Sequence, residues 1–340
     1  MHSASKILAI QFKYFGDAVL MTPALRAIRE HFPACELHVL VPEEITPILQ
    51  HLPWLNRIWP MPRRRGHSSL SRTLPIIRAL RRERFDGSVD FASNDRGAIT
   101  SLLVGAKERL GWEDSGGFWG RRLCYNRRIS RETKPIHESA HLVHLLTGWN
   151  IPAPYSLELE IRADPALAEE AERILPAENA MICHLASSQP NREWPPHRWA
   201  ELNRLITNAG RDIVFTTPRG AREQSLASEF FKLAPSAARL PYIAELPVFL
   251  AVLRRAAVFI SGDTGPLHFA AGLGVPTISL FGPSSPERWA TVGSRHQLLT
   301  GSACSCGAHT AICTSKDHCL AAISPEQVLK CLEKIQTVKR

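Results

Sequence analysis

Hydrophobic and polar positions along the first half of the chain alternate between two patterns. Residues 7–12 form an apolar run of strand length, and the following AVLMTPALRAIREHF repeats apolar residues at helical spacing. The same alternation continues through ELHVLV, EEITPILQHL, IRALRRERF and DGSVDFA. Strands that alternate with helices predict an α/β fold with a parallel sheet and right-handed crossovers.

A second block with this alternation begins after Pro165. It comprises a helix at 166–175, the strand NAMICHLA, a helix at 196–208, the strand RDIVFTT, the helices REQSLASEFFKLA and LPVFLAVLRRA, and a strand at 257–260. Prolines in NIPAPYSLELEI separate the two blocks and indicate a linker. We predict Rossmann-like domains at 1–155 and 165–322 that face a central cleft, and a C-terminal helix at 323–340. Ligands of such sheets bind beyond the carboxyl ends of the strands.

Charge and composition narrow the class of partner. The formal net charge is +9, which favours anionic partners. Basic residues are not interleaved with aromatic ones as they are where bases stack, so we do not expect nucleic acid. No stretch approaches the roughly 20 apolar residues of a membrane span, and the N-terminus does not resemble a signal peptide. We therefore expect a cytoplasmic protein.

Three turns between strands and helices carry the candidate chemistry. Gly16-Asp17 follows the first apolar run, where Asp17 can cap the next helix. The start of a helix also lowers the pKa of a carboxylate, which would weaken Asp17 as a base. In HLASSQPNREWPPHRWAEL, Ser187 and Ser188 offer hydroxyls and Arg192 offers a fork suited to phosphate, although a solvated loop would look similar.

The third turn, SGDTGPLH, follows the strand at 257–260. Thr264 is a good N-cap and Pro266 suits a first helical turn, so the amides of the following helix would point at a ligand such as a pyrophosphate. His268 lies one turn into that helix, as a further donor or as a packed histidine. Asp263 would repel phosphate, so we expect it to accept hydrogen bonds from a sugar hydroxyl or from backbone amides.

These segments together resemble the glycosyltransferase family 9 heptosyltransferases of lipopolysaccharide core assembly. The resemblance rests on ILAIQFKYFGDAVLMTPALRAI, the Ser-Ser…Arg-Glu-Trp-Pro stretch, GDTGPLHFAAGLGVPTISLFGPSSPERW and the cysteine-bearing tail, and it spans residues 6–335. FKYFGDAVLMTPALRAIREHFPACELHVL with ITPIL looks closest to the heptosyltransferase III branch. The resemblance implies a GT-B enzyme that transfers L-glycero-D-manno-heptose from ADP-heptose with inversion and needs no catalytic cofactor.

The resemblance also assigns roles to residues. It implies that Asp17 is the general base and that the C-terminal domain binds the donor. The implied donor-binding residues are Ser187, Ser188, Arg192, Glu223, Asp263, Thr264, Gly265 and His268. Arg192 stands where lysine is common in the family.

The implied acceptor is a phosphorylated lipopolysaccharide core at the inner face of the inner membrane, with the enzyme peripheral to that surface. Basic clusters in the N-terminal half agree with such an acceptor: MPRRRGH, Arg96 and GRRLCYNRR. Each cluster taken singly could be a solvated loop. The candidate acceptor-binding residues are Lys13, Arg63, Arg64, Arg96 and Arg121.

The tail GSACSCGAHTAICTSKDHC is dense in cysteine. Cys304, Cys306, Cys313 and Cys319 could hold a structural zinc, or their thiols could pack around a loop. The Cys-x-Cys spacing departs from the usual zinc pattern, and both interpretations stay open. The last helix, SPEQVLKCLEKIQ, is expected to pack back on the N-terminal domain, as in GT-B enzymes.

Other functions are compatible with parts of the pattern. A family 9 transferase could use another nucleotide sugar or acceptor, and a binding protein could keep the fold without catalysis. The chain has no GxGxxG, so an oxidoreductase that uses a dinucleotide is disfavoured.

Overall fold

The chain folds as two compact units, Met1–Arg162 (unit 1) and Ala163–Arg340 (unit 2). The structure is a computed structural model that describes residues 4–62, 70–113, 116–177, 179–302 and 319–338. Each unit has its own parallel sheet, which confirms the predicted α/β class.

The described strands of unit 1 are β1 (Lys6–Ile10), β2 (Glu36–Pro42), β3 (Arg57–Met61), β4 (Gly87–Asp90), β5 (Glu108–Trp112) and β6 (Arg127–Ile129). All pair in parallel in the order β3-β2-β1-β4-β5-β6. This is the strand order of Rossmann folds. Successive strands are added on one side of β1 up to β3 and on its other side from β4, so the topological switch point lies between β1 and β4. Ile10 and Asp90 are register partners, so the loops that follow β1 and β4 leave the sheet side by side.

The described helices of unit 1 are α1 (Phe15–Leu20), α2 (Thr22–His31), α3 (Thr46–Leu49), α4 (Leu70–Arg82), α5 (Asp95–Val104) and α6 (Glu138–Leu145). The single helical pattern after β1 is in fact two helices, α1 and α2, joined at Met21. Pro23 has no N–H for the carbonyl of Val19, and that carbonyl instead accepts the hydroxyl of Thr22 at 2.7 Å.

The described strands of unit 2 are β7 (Met181–His184), β8 (Ile213–Thr216), β9 (Ala238–Arg239), β10 (Val258–Gly262), β11 (Thr277–Phe281) and β12 (His296–Thr300). Their order is β12-β11-β10-β7-β8-β9, all parallel, which is the same topology as in unit 1. The topological switch point of this sheet lies between β7 and β10. Loops that follow these two strands are therefore expected to carry the ligand site of this unit.

The described helices of unit 2 are α7 (Ala168–Ile174), α8 (Pro196–Asn208), α9 (Ala221–Leu233), α10 (Leu246–Arg254), α11 (Gly265–Gly272), α12 (Pro286–Trp289) and α13 (Pro325–Val338). Between α8, α9 and β8 the core is aromatic. Trp194 and Trp199 meet edge to face at 4.8 Å, and Phe215 packs on Phe230 at 4.4 Å.

The last helix, α13, packs against α8, β11 and β12 of its own unit. Val328, Leu332 and Ile335 are buried in the core of unit 2. Its described contacts therefore place α13 with unit 2, and packing on unit 1 stays a prediction. Among the described residues, no helix has both the length and the apolar composition that a membrane crossing requires.

Candidate active site

In unit 1, the loop after β1 presents Asp17 beside one cation and one anion. The Nζ of Lys13 lies 3.9 Å from Oδ1 of Asp17 and 3.9 Å from Oε1 of Glu138. The backbone N–H of Tyr14 donates to Oδ2 of Asp17 at 3.1 Å. Asp17 therefore does not occupy the N-cap position, which belongs to Tyr14. Its side chain caps α1 from within the first turn, by accepting the backbone N–H of Tyr14.

Partial burial is the main influence on the pKa of Asp17. The side chain of Asp17 is 16% exposed and that of Glu138 is 3% exposed. Burial raises the pKa of Asp17 above its usual value; Lys13 and the Tyr14 N–H oppose the rise, and the charge of Glu138 adds to it. The expectation that the helix start would make Asp17 a weak base is therefore wrong in direction, because desolvation outweighs the backbone hydrogen bonds.

The candidate acceptor residues fall into different surroundings. Arg96 donates to the carbonyl of Pro62 at 2.9 Å and lies over the ring of Phe12 at 4.6 Å. Phe12 directly precedes Lys13 in the chain. Arg121 is buried, donates to the carbonyl of Gly116 and lies 3.5 Å from Asp95. Arg63 and Arg64 lie outside the described residues.

Sequence reasoning missed Asp90, at the end of β4. This carboxyl is fully buried, with Oδ2 accepting the hydroxyl of Tyr125 at 2.6 Å and Oδ1 accepting the N–H of Ala92 at 2.9 Å. Burial raises the pKa of Asp90 to about 6, against the opposing effect of these hydrogen bonds. The signal was present, because a carboxylate that closes an apolar strand in an α/β sheet lies at the ligand-binding edge.

In unit 2, the loops after β7 and β10 are joined by an ion pair. Nη1 of Arg192 lies 2.9 Å from Oδ2 of Asp263, and the hydroxyl of Ser187 donates to the Asp263 carbonyl at 3.1 Å. Two predicted site residues therefore partly neutralise each other. Ser188, by contrast, is exposed at the surface of its loop.

The close approach of these two loops depends on Gly262, the last residue of β10. A Cβ at this position would lie 2.5 Å from the backbone oxygen of Arg192. Real Cβ atoms do not come so close to a backbone oxygen, so no larger residue fits here without a shift of the loop.

The turn after Gly262 begins α11 as the sequence indicates. Thr264 has the extended backbone of an N-cap and Pro266 lies in the first turn, although the Thr264 hydroxyl makes no capping bond. Gly265 is the first helical residue, and a Cβ there would meet nothing within 4 Å. His268 is buried one turn further on. Backbone amides at the start of α11 and the positive end of its dipole suit an anionic group.

A second ionic network supports the loop after β7, and the sequence had not indicated it. Nη1 of Arg222 lies 2.6 Å from Oε1 of Glu193, which in turn accepts the N–H of Ser187 at 2.9 Å. Arg222 also donates to the Ser187 carbonyl and, at 3.0 Å, to Glu223. Glu223, a predicted nucleoside contact in the first turn of α9, is thereby linked through Arg222 to the loop after β7. The signal lay in the Arg-Glu-Trp-Pro motif, where Glu193 had no role assigned.

Most of the predicted zinc cluster falls outside the described chain. Cys304, Cys306 and Cys313 are not among the described residues, and Cys319 is buried in the core of unit 2. Within the ranges the structure describes, no group of three or more His, Cys, Asp or Glu side chains is placed to hold a metal ion. The zinc hypothesis stays a prediction.

Comparisons with known proteins address the family. The profile of "Glycosyltransferase family 9 (heptosyltransferase)" matches residues 73–319. Among curated relatives, "Lipopolysaccharide heptosyltransferase 2" of Escherichia coli K12 is 23% identical over 83% of this chain and 84% of its own length. "Lipopolysaccharide heptosyltransferase 1" of the same strain is 25% identical over 83% and 89%. "Lipopolysaccharide heptosyltransferase 3" of E. coli is 21% identical over 82% and 83%.

Solved structures agree in fold. A glycosyl transferase family 9 protein from Veillonella parvula DSM 2008 superposes with a TM-score of 0.83 at 19% identity, covering 99% of this chain and 98% of its own. E. coli ADP-heptose lps heptosyltransferase II superposes with a TM-score of 0.77 at 19% identity, covering 98% and 100%. These likenesses confirm the predicted GT-B fold with two Rossmann-like domains. The chain belongs to glycosyltransferase family 9 (heptosyltransferase), and it is a glycosyltransferase.

Proposed function

We propose that the chain transfers L-glycero-D-manno-heptose from ADP-heptose to the phosphorylated inner core of lipopolysaccharide, with inversion at the anomeric carbon. The observation that carries this proposal is the half-buried carboxylate of Asp17, held beside Lys13 at the carboxyl edge of a Rossmann sheet. The relatives named for lipopolysaccharide heptose transfer support the donor and acceptor classes. Their identities of 21–25% do not favour one heptosyltransferase branch, so the proposal names no particular heptose.

Asp17 is proposed as the general base. An acceptor hydroxyl gives its proton to the carboxylate while its oxygen attacks C1 of the heptose, and the bond from C1 to the diphosphate breaks in the same displacement. A base of this kind contributes about 10²–10⁴-fold to the rate. The raised pKa of Asp17 makes it a stronger base than a solvated aspartate, while Lys13 keeps the carboxylate close to a counter-charge.

The donor is proposed to bind unit 2, at the loops that follow β7 and β10. The amides at the start of α11, with His268 and Ser188, would donate hydrogen bonds to the diphosphate and stabilise the charge on departing ADP. Arg192 is proposed to act together with Asp263: the guanidinium would contact the diphosphate and the carboxylate would accept a sugar hydroxyl, and their ion pair at 2.9 Å supports this. Glu223 is proposed to contact the nucleoside. No catalytic cofactor enters this scheme.

The acceptor is proposed to bind unit 1 through Lys13, Arg63, Arg64, Arg96 and Arg121, whose charges suit its phosphates. Such an acceptor is anchored in lipid, so we propose that the enzyme works at the cytoplasmic face of the inner membrane.

The test is the release of ADP from ADP-L-glycero-D-manno-heptose, with and without truncated core lipopolysaccharides of increasing length. We expect release that depends on one acceptor length. Asp17→Asn should lower turnover at least about 100-fold and leave ADP affinity unchanged, since the base is not needed for donor binding. The matched control Asp212→Asn changes an exposed aspartate just before β8 and should keep full turnover.

Two results would contradict the proposal at different points. Full turnover of Asp17→Asn would exclude Asp17 as the base. ADP binding without release on any acceptor would favour another donor sugar or a protein that only binds nucleotide sugars.

A further inference from the structure

One arginine at the start of α9 joins two neighbouring loops of unit 2. Strands β7 and β8 are paired in parallel, so the turn from β8 into α9 lies beside the loop after β7. From the second position of α9, Arg222 places Nη1 2.6 Å from Oε1 of Glu193. Nη2 donates to the carbonyl of Ser187 and, at 3.0 Å, to Oε1 of Glu223. The planar fork of the guanidinium therefore binds three acceptors from two loops at once.

Arg222 also separates two carboxylates that would otherwise repel each other. The side chains of Glu193 and Glu223 are 8% and 20% exposed, so water and salt screen them poorly. Burial raises the pKa of Glu193 and the charge of Glu223 raises it further, while the Ser187 N–H and Arg222 lower it. Without the arginine, two like charges would stand at short range, and the more exposed Glu223 would move away.

The carboxylate of Glu223 lies over the N-cap of its own helix. A Cβ on Gly220, the N-cap residue, would lie 2.0 Å from Oε2 of Glu223, so the glycine leaves the room that this carboxylate occupies. Oε1 is held by Arg222. The anchored carboxylate thus follows the second strand of a Rossmann sheet, where an acidic side chain can accept a ribose hydroxyl of a bound nucleotide.

We propose that Arg222 is a positioning residue for donor recognition. It holds the carboxylate of Glu223 where that group accepts a ribose hydroxyl of the ADP moiety, and Glu193 holds Arg222 from the loop after β7. The inference rests on the proposed function, because it takes the donor nucleotide to bind unit 2. It adds two residues, Arg222 and Glu193, that act on the donor only through Glu223.

A direct contact between Arg222 and the diphosphate fits less well. Both terminal nitrogens of the guanidinium are already engaged by Glu193, Glu223 and the Ser187 carbonyl. Turning the guanidinium toward a phosphate would take the ion pair away from Glu193, and a carboxylate so little exposed is costly to leave without its counter-charge.

The experiment measures binding of ADP, 2′-deoxy-ADP and 3′-deoxy-ADP to the full-length chain by titration calorimetry. The parent should bind ADP about tenfold more tightly than the analogue that lacks the hydroxyl accepted by Glu223, the effect of one hydrogen bond to a charged group. Arg222→Gln should lower the affinity for ADP to that of the analogue. It should leave the affinity for the analogue itself unchanged, which also shows that the variant is folded.

Steady-state transfer gives a second readout. Arg222→Gln should raise KM for the donor by the same factor with little change in kcat, since the ribose is bound alike in the ground state and the transition state. Glu193→Gln should change the binding of ADP in the same direction and by less, because an amide still accepts a hydrogen bond from Arg222.

A double-mutant cycle tests whether Arg222 acts through Glu223. Glu223→Gln alone should lose the preference for ADP, and R222Q/E223Q should bind ADP no more weakly than Glu223→Gln. Gly220→Ala displaces the Glu223 carboxylate without removing a charge, and it should show the same loss. Arg204→Gln, at an exposed position of α8, is the matched control and should bind all three nucleotides as the parent does.

Several results would overturn the inference. Parental affinity of Arg222→Gln for ADP would leave this residue no role in donor binding. An equal loss for ADP and both analogues would assign Arg222 to the diphosphate, and additive losses in R222Q/E223Q would show that the two residues act separately. A parent that binds the three nucleotides equally would remove the ribose contact. In all these cases ADP still binds and the proposed transfer stands, whereas a parent that binds no ADP would contradict both.

Discussion

Two charges modify the effect of burial on the pKa of Asp17. Lys13 lies four residues before Asp17, whereas Glu138 begins α6, and Nζ of Lys13 lies 3.9 Å from a carboxylate oxygen of each. Lys13 stabilises the ionised carboxylate and Glu138 opposes it. The two neighbours therefore act in opposite directions on the proposed base.

This opposition predicts the pH dependence of transfer. A base must be ionised, so kcat/KM falls as pH drops through the pKa of Asp17. Glu138→Gln removes a negative charge, which lowers that pKa and moves the acid limb of the profile to lower pH. Lys13→Gln removes a positive charge and moves the acid limb to higher pH.

The measurement is kcat/KM between pH 4 and pH 8 for the parent and both variants. Glu113→Gln, at an exposed position of unit 1, serves as the control and should leave the limb in place. Shifts in the same direction for both variants, or no shift at all, would show that Asp17 does not control the limb.

Asp90 gives a second prediction at this scale, for stability. Its pKa of about 6 lies above the value of an unfolded chain, near 3.9, so the folded state binds more protons between these pH values. The free energy of unfolding therefore falls as pH rises from about 4 to about 6. Asp90→Asn keeps the shape of the side chain and removes the titration.

We expect the free energy of unfolding of Asp90→Asn, relative to the parent, to improve by about 2 kcal/mol between pH 4 and pH 7. Urea unfolding at a series of pH values measures the difference. A difference that stays constant with pH would mean that Asp90 does not titrate in this range.

At the scale of elements, the site of unit 2 depends on how closely the end of β10 approaches the loop after β7. Gly262 permits this approach, because the backbone oxygen of Arg192 occupies the place of a Cβ. The ion pair between Arg192 and Asp263 and the hydrogen bond from Ser187 then tie the two loops together. Displacing one loop would displace both.

Gly262→Ala tests this dependence. The added methyl group should push the Arg192 loop away at a cost of about 1–3 kcal/mol, and it should weaken ADP binding because the loop carries donor-binding residues. Titration calorimetry with ADP and thermal unfolding are the measurements. Gly116→Ala in unit 1 is the control, since its Cβ would enter open space. Equal ADP affinity in both variants would remove the role given to the close approach.

At the scale of the whole molecule, each of the two units has its own sheet. The proposed function assigns acceptor binding to unit 1 and donor binding to unit 2. If the donor binds unit 2, ADP at 100 times its Kd should stabilise that unit by about 2.7 kcal/mol. Hydrogen exchange should then slow in the loops at 187–193 and 262–268 and stay unchanged at 11–17 in unit 1. Protection of the loop at 11–17 instead would assign ADP to unit 1 and contradict the proposal that the donor binds unit 2.

The sequence by itself determined the α/β class, most of the elements and the turns that carry the site. Helix α8 begins and ends at the predicted residues, and α11 starts at the Thr264 cap, because periodicity, caps and prolines act over a few neighbouring residues. The break between α1 and α2 has a local cause too, in Pro23. Alternation of strand and helix likewise indicated the parallel sheets.

Only the tertiary structure decided which side chains meet at those turns. These contacts join residues that lie far apart in the sequence: Glu138 with Lys13, Tyr125 with Asp90, Arg192 with Asp263 and Arg222 with Glu193. The strand order places such loops next to each other, and local patterns do not encode that order. The partial burial that raises the pKa of Asp17 likewise depends on what covers this side chain after folding.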